Sequence, residues 1–402
     1  MNLTRKRIVT RLLLIVGGLV IGLLIVEGGL RLYESLTGHV NIDLEGRSQV
    51  VTDDKVGVRV LPGAPGHDAR GFRNADVPLD TDIVCIGDSQ TWGNNAAANH
   101  AWPQTLGRLA DRTAYNMGLG YYGPVEYMYL AEEALELSPE VIVIGLYLGN
   151  DIWGAYNTVY LSDRCPDLRA PNAAHDLFVD TISGEAEDLF TDQEETKTGL
   201  QGSFLYRWAM NLREYSAAVR QLTDGLGNLL NPAYTQGKAW AQANPDQGAY
   251  YESEGIKKVL TPAYRLLAMA TEEPGIREGL RITKETILAI QSKTADENAG
   301  LVILLIPTAE SVYADAVQAT QASFSSTYQE LVRTENRLKE EIITLCDDNG
   351  IEYADALPSL KAAVGRNAKL YPESTDGHPL AMGYYCIASA VYEKLTGLGW
   401  LE

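Results

Sequence analysis

Three short stretches of the chain, residues 83–86, 141–146 and 301–306, are apolar at every position and rich in Val and Ile. A strand with water on one face alternates apolar and polar residues, so unbroken runs of this length predict strands buried on both faces, as in a parallel sheet. Residues 113–116, before a Gly-rich turn, and 351–354, after Asn349-Gly350, supply two further candidates. Between them, apolar residues recur at three- and four-residue spacing over 125–137, 276–294 and 328–346, the last with a densely charged outer face, which predicts amphipathic helices. Alternating strand and helix predicts a doubly wound α/β domain.

The pattern breaks at about residues 152–274, where Tyr, Asn, Asp and Gly are frequent and one amphipathic helix is expected near 205–222. This stretch reads as an insertion at a sheet edge or over the active face, as lid, substrate platform or partner surface. Its aromatic residues, among them Trp153, Tyr156, Tyr160, Tyr206, Trp208, Tyr250 and Tyr251, are expected to pack a small core, with stacking on sugar rings as the alternative. Residues 41–81 are rich in Gly, Pro and Asp with little periodicity and predict an extended lead-in.

The N-terminus carries a different signal. Residues 12–26 are continuously apolar, and counting from Ile8 to Leu30 gives roughly the 20 residues a bilayer-spanning helix needs. No A-x-A-like cleavage site follows in Glu27-Gly28-Gly29-Leu30, so an uncleaved anchor is expected, with a cleaved signal peptide as the alternative. Arg5, Lys6, Arg7 and Arg11 precede the segment, which by the positive-inside rule keeps the N-terminus in the cytoplasm and places the rest outside the membrane. The expected organisation is a cytoplasmic stub and anchor over 1–32, a lead-in over 33–81, and a catalytic domain over 82–402.

A chain of 402 residues, 46% of them hydrophobic, is long enough for an enzymatic core with an insertion. Its 33 basic and 53 acidic residues give a net charge of -20, which repels phosphate backbones and excludes nucleic acid as the expected partner. Cys85, Cys346 and Cys386 fall in apolar segments and Cys165 in a loop-like stretch; their spacing fits neither a disulfide framework nor a zinc site, so no metal and no cofactor are expected.

Gly87-Asp88-Ser89 follows the first strand directly, at the carboxyl edge where open α/β sheets bind ligands. Ser89 there is either a nucleophile or the N-cap of the next helix. A serine nucleophile needs a base, and the chain has five histidines: His39, His67, His100, His175 and His378. The first two lie in the lead-in, His100 near the helix after Ser89, and His175 in the insertion. His378 lies in Asp376-Gly377-His378-Pro379, where it is expected to open a helix, and Asp376 either caps that helix or orients the imidazole.

These two segments, with Asn116-Met117-Gly118-Leu119-Gly120-Tyr121-Tyr122-Gly123-Pro124 and Gly149-Asn150-Asp151 between them, resemble the four ordered sequence blocks of the SGNH (GDSL) hydrolase superfamily. The resemblance covers roughly residues 82–150 and 300–395. It implies a three-layer α/β/α sandwich with a central, flavodoxin-like parallel sheet. It also implies acyl-transfer chemistry, with Ser89 as nucleophile, His378 as general base and Asp376 as its orienting carboxylate. An oxyanion hole would come from the Ser89 N–H, a second-block backbone N–H and the Asn150 side chain. The family's usual second-block glycine falls five residues after the Asn, where this chain has Tyr121, with Gly120 one position earlier, so either residue is a candidate donor. The implied function is hydrolysis of acyl esters, or O-acyl transfer, on cell-surface or secreted carbohydrate outside the cytoplasmic membrane. A lipase, lysophospholipase or thioesterase, and an inactive envelope-binding module, are the alternatives.

Overall fold

A computed structural model of the chain describes residues 50–170, 233–253, 255–320 and 324–401, together with Gly18 and Gly22. The rest of the expected anchor, residues 33–49 and the helix expected at 205–222 lie outside the described residues. Among the described residues, no helix is long and apolar enough to cross a membrane.

The five predicted strands all form, within about two residues of their expected bounds. In chain order, a hairpin of β1 (Val50–Asp53) and β2 (Gly57–Val60) precedes β3 (Ile83–Gly87), α1 (Ser89–Trp92), α2 (Trp102–Ala110), β4 (Ala114–Gly118), α3 (Pro124–Leu135), β5 (Val141–Tyr147) and α4 (Asp151–Tyr156). After the insertion begins, α5 (Ala233–Ala243), the hairpin β6 (Ala249–Ser253) and β7 (Ile256–Leu260), and α6 (Pro262–Leu267) are described. The regular alternation resumes with α7 (Pro274–Asp296), β8 (Gly300–Ile306), α8 (Ala309–Thr320), α9 (Ser326–Asn349), β9 (Glu352–Asp355), α10 (Leu357–Gly365) and α11 (Ala381–Gly397).

The central sheet is parallel throughout, in the order β4-β3-β5-β8-β9. Because successive side chains of a strand point to opposite faces, the apolar runs feed two cores at once. Ile83, Cys85, Val141, Val143, Val302 and Leu304 pack with Trp102 and Leu106 of α2 and Tyr384, Ile387 and Val391 of α11. Val84, Ile86, Ile142, Ile144, Ile303 and Leu305 are buried on the other face, where α3 packs on β3 and β5 and α7 packs on β8. The layers are therefore helix, sheet, helix.

Two parts differ from their sequence expectation. Residues 50–81 are folded onto the domain: Val60 and Phe72 are buried, Arg59 binds Glu133 of α3 at 2.9 Å, and Asp68 accepts the Tyr115 hydroxyl of β4 at 2.7 Å. Their lack of periodicity reflects contacts made one residue at a time. The last helix begins at Ala381 with Leu380 as N-cap, so His378 sits in the turn before it; as the residue preceding Pro379, it is disfavoured in helical geometry.

Within the insertion, the β6–β7 hairpin buries Ala249, Tyr251, Ile256 and Leu260 in the same core as Tyr313 and Tyr371, and Tyr156 stacks on Tyr160 with centroids 4.9 Å apart. These described tyrosines pack; Tyr206 and Trp208 lie outside the described residues. Cys85, Cys346 and Cys386 are buried free thiols and Cys165 is a partly exposed one.

Candidate active site

The position of Ser89 is built by glycines. Gly87, Gly118 and Gly145 stand side by side in register on three adjacent strands. A Cβ on Gly87 or Gly145 would fall 2.0 or 2.6 Å from the Thr91 hydroxyl, and one on Gly118 2.4 Å from the Trp92 nitrogen. The missing side chains let the short helix α1 lie directly on the strand ends. Asp88, rather than Ser89, caps that helix, accepting the Gln90 N–H at 2.9 Å. Gly93, with φ +91°, closes it in the left-handed region. Ser89 is thereby left at the first helical position, where its N–H has no intrahelical acceptor.

The folded lead-in holds α1 from behind. Buried Arg73 donates to the carbonyls of Trp92 (3.1 Å), Gly93 (2.9 Å) and Ala96 (2.8 Å), and its guanidinium stacks 3.9 Å from the Trp92 ring centroid. The Trp92 indole N–H donates to His67 Nε2 at 3.4 Å. Burial pushes His67 down to about 4, so this histidine is a neutral acceptor.

Across the sheet edge, His378 Nε2 stands 2.7 Å from Ser89 Oγ and His378 Nδ1 stands 2.6 Å from Asp376 Oδ1. An ionised Asp376 can only accept, which assigns the Nδ1–H tautomer and leaves Nε2 free to take the serine proton. The same carboxylate oxygen accepts the His378 backbone N–H at 2.9 Å, and Asp376 Oδ2 accepts Asn95 Nδ2 at 2.8 Å. Burial alone would raise the Asp376 carboxyl; the hydrogen bond and charge of His378, with the Asn95 amide, outweigh it and hold the group well below the usual carboxylate range. The turn is also clamped from the insertion, where Lys258 Nζ donates to the Ser374 and Asp376 carbonyls at 2.8 and 2.7 Å.

Asn150 follows β5, the strand beside β3, and lines the same cavity as Ser89 and His378. Its side chain lies near enough to Asp88 to favour that residue's carboxylate form. An amide nitrogen carries two hydrogens, so a donor is available for an acceptor in the cavity. Asp88 is raised to about 6 by burial, against the lowering effects of the Gln90 N–H, the His378 charge, Asn150 and Ser89. Gly120 and Tyr121 sit in the exposed turn after β4, and neither lines that cavity. The cavity has a volume of about 310 Å³ and is walled by Trp240, Gln247 and Tyr264 of the insertion as well as by the turns that carry Ser89 and His378.

Sequence motifs therefore located Ser89, His378, Asp376 and Asn150, and the fold brings these four together. Asn95, Lys258 and Arg265 were not anticipated. Only Lys258 left a trace: the Lys257-Lys258 pair in a strand must send one lysine inward. Among the described residues, no group of three or more His, Cys, Asp or Glu side chains forms a metal-binding cluster.

No protein-family profile matches the chain, and no curated protein does. Solved structures similar to it include a catalytic mutant of an acetylxylan esterase from Geobacillus stearothermophilus (11% identity, 79% of this chain and 95% of that one, TM-score 0.37). Others are an alpha/beta hydrolase enzyme from the metagenome of Lake Arreo, Spain (13%, 81% and 98%, TM-score 0.35) and a GDSL-like lipase from Bacteroides thetaiotaomicron (11%, 79% and 88%, TM-score 0.31). At such identities and scores, the functional reading is carried by the geometry of the site.

Proposed function

We propose that the chain is a serine-dependent acyl-ester hydrolase or O-acyltransferase of the SGNH type. The observation that carries this is the unbroken relay from Ser89 Oγ through both ring nitrogens of His378 to Asp376. In this mechanism His378 Nε2 removes the Ser89 proton as Oγ attacks the ester carbonyl. Asp376 holds the imidazole in the required tautomer and stabilises the imidazolium that forms. The negative charge that develops on the carbonyl oxygen is met by the Ser89 N–H and the Asn150 amide. Collapse passes the proton from His378 to the leaving alcohol and leaves an acyl group on Ser89. Water, or a second hydroxyl, then collects that group by the same steps in reverse.

The substrate class we favour is acyl esters, acetyl among them, of carbohydrate. Supporting it are a cavity open enough for a sugar ring and the aromatic side chains of Trp240 and Tyr264 on its wall. The apolar N-terminal segment supports attachment to the cytoplasmic membrane with the catalytic domain outside. Release of acetate from acetylated polysaccharide, measured beside hydrolysis of a long-chain phospholipid, tests the assignment. Acetate release lost in Ser89→Ala is expected; faster phospholipid turnover would replace the carbohydrate reading with a lipase.

A further inference from the structure

The cavity beside Ser89 contains a cation held only loosely: the Arg265 guanidinium lies 5.8 Å from the Tyr147 ring centroid and 5.3 Å from that of Tyr264, and its Nε is buried without a hydrogen-bond partner among the described residues. Arg265, on α6, lines it. The guanidinium lies against the backbone of the catalytic turn, so close that a Cβ on Gly377 would meet Arg265 Nη2 at 2.7 Å. The carboxylate nearest to it is Glu310, whose Oε2 stands 4.0 Å from Arg265 Nε. Among the described residues, neither of those two atoms has a hydrogen-bond partner. Glu310 is instead turned by its other oxygen to the Thr261 N–H at 2.8 Å. An arginine whose task was to neutralise Glu310 would grip it through a short, two-pronged fork. Lys258, the other buried cation nearby, differs in donating short hydrogen bonds to two carbonyls of the turn that bears His378.

A second donor points the same way. The hydroxyl of Tyr147, at the carboxyl end of β5, lines the cavity, lies 3.4 Å from the same Gly377 position, and is buried without a partner among the described residues. Buried polar atoms are ordinarily satisfied, so unpartnered donors converging on one cavity mark a ligand group that accepts from them.

We propose that this cavity binds a carboxylate, or an equivalent oxyanion, carried by the sugar portion of the ester, on the Arg265 guanidinium with the Tyr147 hydroxyl as second donor. The preferred substrates are then acyl esters of acidic sugars. This deepens the esterase reading and rests on it for the reaction, though not for the binding. Glu310 keeps the guanidinium charged and in place without consuming its donors, and the planar fork matches a carboxylate better than it matches a neutral hydroxyl.

The test uses the purified full-length chain and a fluorophosphonate that labels Ser89. Methyl glucuronide, methyl glucoside and methyl glucoside 6-sulfate are compared as protectants, and the O-acetylated glucuronide and glucoside as substrates. Roughly tenfold to hundredfold stronger protection by an anionic sugar than by the glucoside is expected, with a similar ratio in kcat/KM. The better of the two anions names the source. Arg265→Gln should collapse that ratio and Arg265→Lys should keep part of it; the wild-type protection experiment stands even where a variant fails to fold. Equal protection by glucoside and both anions, or a full preference retained in folded Arg265→Gln, overturns the proposal. If Ser89 of the folded chain never reacts, the esterase reading falls instead, and calorimetric binding of the same three sugars decides the anion site alone.

Discussion

Asp88 and Asp376 both interact with His378, and their surroundings push them in opposite directions. Asp376 is lowered, so it contributes stability above the unfolded carboxyl value, lost as pH falls through its folded one. Asp88 is raised from 3.8 to about 6 by burial. Its contribution is complete below about pH 3.8 and is lost as pH rises through about 6. Asp88→Asn does not titrate there, so urea denaturation between pH 4 and 7 should show the variant gaining on the wild type by up to about 3 kcal/mol as pH rises. Parallel stability curves would contradict the buried, ionising Asp88. For Asn150→Ala, steady-state kinetics should show kcat lower by roughly 10²–10³ with KM and melting temperature little changed, as for loss of an oxyanion donor. At this scale the sequence disclosed the residues with a motif around them and hid those without one. Asn95 reaches Asp376 across 281 positions of chain, and nothing near it in sequence says so.

Elements carry the site through their ends. The three in-register glycines admit α1 to the sheet edge, and the β6–β7 hairpin delivers Lys258 beneath the turn that bears His378. Burial lowers Lys258 to about 8 even with Glu310 and Asp376 nearby, a sign that its position costs free energy. Replacing a buried charge by an apolar side chain of similar volume is often neutral or stabilising. Lys258→Met should therefore leave the melting temperature unchanged or raised while kcat falls about tenfold, because the Ser374 and Asp376 carbonyls lose their clamp. A drop in both together would make the lysine a plain stabiliser. The central strands were legible because residues buried on both faces leave unbroken apolar runs. The hairpin β1–β2 and the packed lead-in were not, since Arg59, Asp68 and Arg73 bind through clusters of polar contacts that no periodicity announces.

For the whole molecule, the sheet order decides where the candidate site lies. β4 is added on one side of β3 and β5 on the other, so the chain leaves the crevice between β3 and β5 in two directions, the place where open α/β sheets bind ligands. Ser89 follows β3, Asn150 follows β5, and the C-terminal segment brings His378 to meet them, 289 positions from Ser89. The order of blocks along the chain pointed to this meeting, but its closeness is a property of the packed sheet. The most direct measurement is fluorophosphonate labelling of the purified chain followed by peptide mapping. One adduct is expected, on Ser89, formed at a rate that falls sharply in His378→Ala; an adduct on another residue, or unchanged labelling without His378, would contradict the Ser89–His378 pair as the reacting unit.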